Sequence, residues 1–410
     1  MAYAQTGLDS GDTAWILVAS AFILMMTLPG LALFYSGLVR SGNVLSVMMQ
    51  CFSVACVSSV LWLLAGYSIA FGDGGNANAW WGGLGKVLLI GIGTDTLSGS
   101  IPEILFCVFQ MTFAVITPAL IVGAYVERIK FLHVVLFSGL WMLLVYAPVA
   151  HWLWGGGFLA DLGVLDFAGG LVVHATAAVA ALVLAIMLGP RRDFPGDLHP
   201  PHNPGLTMAG AAMLWVGWYG FNGGSALAAN GAASMAIFVT HISASTAALV
   251  WVVIEKLRFG KPSLIGLVTG LIAGLASITP ASGFVGPVGG LVIGLVGGVV
   301  CYLAVEWIKF KLHIDDALDV FAVHGVGGII GTLLTAVFGA SAFGGLGLER
   351  SISEQLISQI IGTVVVVVWT AVASYLLVVL VRKLVGLRVD ERDELEGLDY
   401  SSHGEHSYHL

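Results

Sequence analysis

The sequence predicts an all-α integral membrane protein of eleven transmembrane helices. They form two inverted five-helix repeats and a final helix, with the N-terminus outside and the C-terminus cytoplasmic. Three observations carry this prediction. Of the 410 residues, 58% are hydrophobic and 10% are charged, where a soluble chain carries roughly a quarter charged residues. Eleven apolar runs approach the ~20 residues a span requires. The basic residues fall on alternate connections: with the N-terminus outside, fourteen of the sixteen Lys and Arg lie in segments assigned to the cytoplasm, and only Lys86 and Arg350 lie outside. Adding or removing one span destroys that sorting.

Taken in order, the spans cover about 14–38, 45–71, 101–126, 132–152, 166–188, 206–223, 231–255, 264–281, 286–308, 319–340 and 355–382. The weakest division separates the eighth from the ninth, where Pro280, Gly283, Gly286 and Pro287 interrupt the pattern. Eleven divides as five, five and one. Because five is odd, the second copy must be inverted, giving repeats over about 14–188 and 206–340 and a last span over about 355–382. Gly270/Gly274, Gly290/Gly294 and Gly327/Gly331 have the spacing of close helix packing. The membrane domain occupies 1–385, and a polar cytoplasmic tail occupies 386–410. The tail is either a disordered end or an ordered, binding element; LDYSSHGEHSYHL lacks the like-charge blocks of a purely solvating tail.

Composition also excludes some classes. No Lys/Arg-rich run points to nucleic acid. Cys51, Cys56, Cys107 and Cys301 all fall in apolar segments, as small buried hydrophobes and not as a disulfide framework. The N-terminal MAYAQTGLDSGDTAW has no positive n-region, so no cleavable signal peptide is expected. Nothing calls for a cofactor, a metal or a catalytic residue.

Two spans carry an ionisable residue in matched settings. His174 lies in DFAGGLVVHATAAVAALVLAIML and His324 in DVFAVHGVGGIIGTLLTAVFGA, each after Val and before small residues: Ala175, Ala177 and Ala178 in one, Gly325, Gly327 and Gly328 in the other. Each histidine alone reads as a satisfied buried side chain; the matched pair points to a shared site between the two halves. Above it, the expected topology brings Phe109 and Phe113, Trp154, and Phe221 and Ser225 to the outer mouth. Aromatic faces attract a cation, and a serine oxygen accepts from one that carries N–H groups. An interfacial aromatic belt is the alternative. Asp166 begins the fifth span about 12 Å above His174, as a helix cap or as a carboxylate favouring a cation. Asp315, Asp316 and Asp319 are expected to cap the tenth span.

The stretches PGLALFYSGLVR, FQMTFAVITPALIVGAYVERIKF, HWLWGGG, LDFAGGLVVH, GWYGFNGGS, DDALDVFAVHGVGG and the tail GLRV…EGLDYSSHGE resemble the ammonium transporter (Amt) family of the bacterial type over nearly the whole chain. The resemblance implies a homotrimer in the inner membrane, surrounded by lipid, with one pore per subunit. Phe113, Trp154 and Ser225, joined by Phe109, would recruit ammonium. Phe113 and Phe221 would stack as a gate, Trp218 would line the pore, His174 and His324 would be its twin histidines, and Asp166 its buried carboxylate. A PII-type signal protein would bind the cytoplasmic face and tail. The sequence departs from the family at Tyr219, where Phe is common, at Ser36, where Gly is frequent, in lacking the signal peptide of some members, and at Val389-Asp390-Glu391, where a Pro is expected.

An intact cation in an apolar pore is costly, so the implied route binds ammonium outside, removes its proton and passes neutral ammonia, with or without separate electrogenic proton transfer. Three rivals stand beside it. A related gas channel would not need Trp154 and Ser225. An ammonium sensor of the same fold would carry an added signalling domain. A membrane haem or metal enzyme would need more ligands than two histidines.

Overall fold

The computed structural model describes residues 7–196 and 200–408. The first six residues of the N-terminal segment and the last two of the tail, both read above, lie outside the described residues. Helices are α1 (Ser10–Leu38), α2 (Ser41–Phe71), α3 (Glu103–Tyr125), α4 (131–154), α5 (Gly170–Leu188), α6 (204–223), α7 (Gly231–Phe259), α8 (Leu264–Ile278), α9 (Pro287–Lys311), α10 (Phe321–Phe338), α11 (Ile352–Val385), α12 (Glu391–Glu396) and α13 (Leu398–His403). One antiparallel pair, Leu97–Ser98 with Ile101–Pro102, closes the loop before α3.

Every expected span is helical. Among the described residues nine helices are long and apolar enough to cross a membrane; α6 and α8 are not among them. The 15 residues of α8 reach only about 22 Å, short of a ~30 Å hydrocarbon core. The polar residues left between apolar runs become caps. Asp9 accepts from Asp12 N–H at 2.8 Å, Asn203 from Leu206 N–H at 2.9 Å, and Ser351 and Glu354 form a capping box. The fifth span starts four residues later than expected: Asp166 is not its first residue but the side chain that caps it.

The burial pattern inverts that of a soluble protein. Large apolar side chains such as Leu249, Leu291 and Val368 face outward, while His174, Asn222, Gln359 and other polar groups lie inside. Glycines at the expected packing pairs, among them Gly270, Gly290 and Gly331, lie where a Cβ would meet the neighbouring helix.

Among the described residues seven helical stretches widen to π turns: Met26–Leu31, Trp62–Gly66, Met142–Tyr146, Gly170–Ala175, Tyr219–Gly223, Trp307–Lys311 and Phe321–Gly325. A π turn offsets side-chain direction within one helix and is common at functional sites.

The arginine-rich side is closed by a buried ionic network. Arg191 pairs with Asp315 at 2.9 Å and with Glu127 at 3.0 Å, and Arg40 also reaches Glu127. Burial pushes the Glu127 carboxyl up, but Arg191 and Arg40 hold it below the usual range. Arg128, wholly buried, donates to the carbonyls of Ala124 and Asp315. The three aspartates expected to cap the tenth span divide their labour: Asp316 accepts from Phe321 N–H, Asp315 serves the arginines, and Asp319 pairs with Lys309.

The tail is ordered and docks on this network. Lys130 N–H donates to Leu387 O, Val389 N–H to Arg128 O and Arg40 to Glu394 O. Arg388 pairs with Glu394 at 2.8 Å, and Asp399 accepts from Ser46 N–H at 2.7 Å.

Candidate functional site

The site is a column of rings between α3, α4, α5, α6 and α10. Phe109 and Phe113, one turn apart on α3, pack at 5.1 Å between centroids. Trp154, the last residue of α4, meets Phe113 edge-on at 5.8 Å. Phe221 follows at 4.5 Å, its ring tilted by 46° against Phe113. Below it, His174 lies nearly parallel to Phe221 at 6.0 Å, and His324 lies nearly parallel to His174 at 5.2 Å. Trp218 flanks the column at 5.5 Å from both Phe221 and His174. All nine residues singled out from the sequence are in or against this column.

The π turns set its geometry. Phe221, His174 and His324 each sit on one. On α5 the His174 N–H reaches back five residues to Gly169 O at 2.9 Å. The two histidine helices approach closely because Gly328 lies against His174 and Gly170, where a Cβ would fall 2.9 Å from the His174 Cβ and 2.7 Å from the Gly170 carbonyl. The small residues after each histidine, conspicuous in the sequence, therefore allow the imidazoles to meet.

The imidazole Nδ1 atoms are 3.3 Å apart, and both rings are buried. One Nδ1 must carry the proton and the other accept it, so two neutral rings of complementary tautomers satisfy the contact. Their Nε2 atoms then differ, one a donor and one an acceptor, and His174 Nε2 has no protein partner. Between Phe221, Trp218, Leu31, Ile272 and the histidines lies about 10 Å³ of free space, at the scale of one water.

At the mouth, Ser225 donates to Phe221 O at 2.8 Å. That leaves the lone pairs of its oxygen for an outside donor. Trp154 Nε1 donates to the Asp166 carbonyl at 2.8 Å, tying the mouth to the start of α5. Asp166 is buried, and its carboxylate accepts four backbone N–H groups: Gly169 and Gly170 on Oδ1, Leu171 and Val172 on Oδ2. Gly169, at φ +112°, makes the turn that lets all four converge. Its capping role is thus explicit, and any effect on a cation acts through space.

Sequence reasoning missed three features. Thr279 accepts from Trp218 Nε1 at 2.9 Å and fixes that indole. The π turns leave no propensity signature. A cavity of about 230 Å³ opens below His324 on the arginine-rich side, lined by Tyr35, Lys309, Asp319, Arg40 and the tail residues Glu391 and Glu394.

A model described as the Ammonium Transporter Family matches residues 14–408. The chain belongs to that family. It is similar to an ammonium transporter of Aquifex aeolicus, at 47% identity over 100% of this chain and 96% of that protein, and to one of Bacillus subtilis, at 44% over 98% and 99%. Among solved structures it resembles a sensor Amt protein, with TM-score 0.90, 29% identity and 96% and 98% of the two chains covered. It also resembles Mep2 of Saccharomyces cerevisiae, with TM-score 0.84, 36% identity and 94% and 88% covered. The chain thus shares its helical fold with the solved structures of a sensor Amt protein and of a fungal Mep2.

Proposed function

We propose that the chain takes up ammonium across a bacterial inner membrane, as a homotrimer with one pore per subunit. The observation that carries this reading is the unbroken ring column from Trp154 and Ser225 to two neutral imidazoles in contact. Ammonium is held at the mouth by the faces of Phe109, Phe113 and Trp154 and by the Ser225 oxygen. Asp166 supplies negative potential from behind its cap. The cation cannot enter a dry channel of this width without losing its hydration. It therefore gives up a proton, and ammonia passes Phe113 and Phe221 and runs along Trp218, His174 and His324, whose donor and acceptor Nε2 atoms suit a molecule that is both. The proton travels separately, making transport electrogenic. Potassium has no proton to surrender and stays outside.

The reading includes eleven spans in two inverted five-helix repeats, N-terminus outside and C-terminus cytoplasmic. Six of the seven π turns support it: they occur in α1 and α6, in α4 and α9, and in α5 and α10, the partners that inversion matches, while the one at Trp62–Gly66 in α2 has no counterpart in α7. The tail and the adjoining face would receive a PII-type signal protein. A sensor of the same fold shares the column but need not carry flux, so flux separates the two. The test is ammonium uptake into proteoliposomes with a potassium excess. Uptake unaffected by potassium supports the reading; none above that of empty liposomes, or inhibition by equimolar potassium, refutes it.

A further inference from the structure

Asp316 stands eight residues before His324, as Asp166 stands eight before His174. Each carboxylate caps the π turn that carries its histidine. The two caps differ in how they are filled. Asp166 accepts four N–H groups and has both oxygens occupied. Asp316 uses Oδ2 on Phe321 N–H at 2.6 Å, and the Val320 N–H also faces the carboxylate, while Oδ1 is buried and makes no hydrogen bond. A carboxylate whose oxygens each accept two N–H donors has its acceptor sites filled; one that is 1% exposed and has a partnerless oxygen keeps an open site for a proton. The groups facing Asp316 are Asp319 on its own loop, Lys309 from α9 and Tyr35 from α1. Lys309 is bound to Asp319 at 2.9 Å, so no cation pairs directly with Asp316 in the hydrogen-bond network described. Tyr35, Lys309 and Asp319, with Ala317 next in the chain, line the cavity below His324.

We infer that Asp316 is the inner proton-exchange group of the transport cycle, and that the two matched caps differ in function because one has its acceptor sites filled and the other keeps one open. The inference rests on the electrogenic transport reading above. When an ammonium N–H bond breaks on the outer side, the electron pair stays with ammonia. The proton, moving separately, forms an O–H bond at Asp316 Oδ1 and then leaves to water in the inner cavity. Burial, and next the charge of Asp319, push the Asp316 carboxyl up to about 7, so it exchanges protons near neutral pH. The sign follows from the folded state binding this proton more firmly than the unfolded chain. From this group, stability falls as pH rises from about 4 to about 7.

The experiment is the initial ammonium-driven current of proteoliposomes holding the full chain, recorded as the internal pH is varied with no ammonium inside. Wild type should show a midpoint near 7. Asp316→Asn, which retains an acceptor for Phe321 N–H and donates from the open position, should lose that midpoint. Asp316→Glu should keep a current with its midpoint displaced. A wild-type profile without a midpoint, an unmoved midpoint in Asp316→Asn, or, if the Asn variant carries no current, an unmoved midpoint in Asp316→Glu overturns the inference. A wild type without ammonium-driven current defeats the transport reading instead.

Discussion

At the scale of single residues, Asp166 is the cap that one reading of the sequence expects, and the proposed function adds the counter-charge that the other expects. Its type and place before an apolar run made both a cap and a counter-charge legible; that four N–H groups converge on it was not, because that depends on the turn at Gly169. The full occupancy changes how its variants read. Asparagine offers one acceptor oxygen where two are used, so it keeps half of the cap. Each buried donor left unpaired costs about 1–3 kcal/mol. Asp166→Ala should abolish ammonium uptake and lower thermal stability; Asp166→Asn should abolish uptake with the smaller stability loss. Uptake and melting measured on the same preparations separate the effects. Near-normal uptake by the Asn variant would reduce Asp166 to a cap.

At the scale of helices, the apolar runs and the small residues after each histidine were readable because burial and close packing both act on composition. Helix ends and π turns were not, since they depend on which neighbour fills the widened turn. Gly328 is the position where packing and site meet. Gly328→Ala should force α5 and α10 apart, at roughly 1–3 kcal/mol of stability, and separate the imidazoles. Gly231→Ala, at a helix start with open space around it, should leave both stability and uptake unchanged. Equal uptake by the two variants would show that the imidazole contact is dispensable. The tail is a further case. Its lack of like-charge blocks hinted at order, but the bonds to Arg128, Arg40 and Ser46 join parts far apart in sequence. Truncation after Gly386 should weaken co-purification with a trimeric PII-type protein, and loops holding Lys130 and Arg192 would account for what remains. Undiminished co-purification would remove the tail from that interface.

At the scale of the whole molecule, the proposed function divides selectivity between a mouth that attracts a cation and a pore that refuses one. Matched histidine segments 150 residues apart made the pairing legible, and the sorted basic residues carry the proposed orientation. The mutual geometry, Nδ1 to Nδ1 at 3.3 Å, came only from the packed helices. If the stretch at the two histidines excludes cations because the imidazoles carry no charge, a carboxylate in either position must admit them, since opposite charges attract far more strongly there than in water. The direct measurement is potassium current through proteoliposomes of wild type, His174→Asp and His324→Glu. The prediction is none through wild type and a clear potassium current through both variants. Variants that carry ammonium normally and still exclude potassium would contradict it, leaving selectivity wholly to the mouth and the histidines as satisfied buried polar groups.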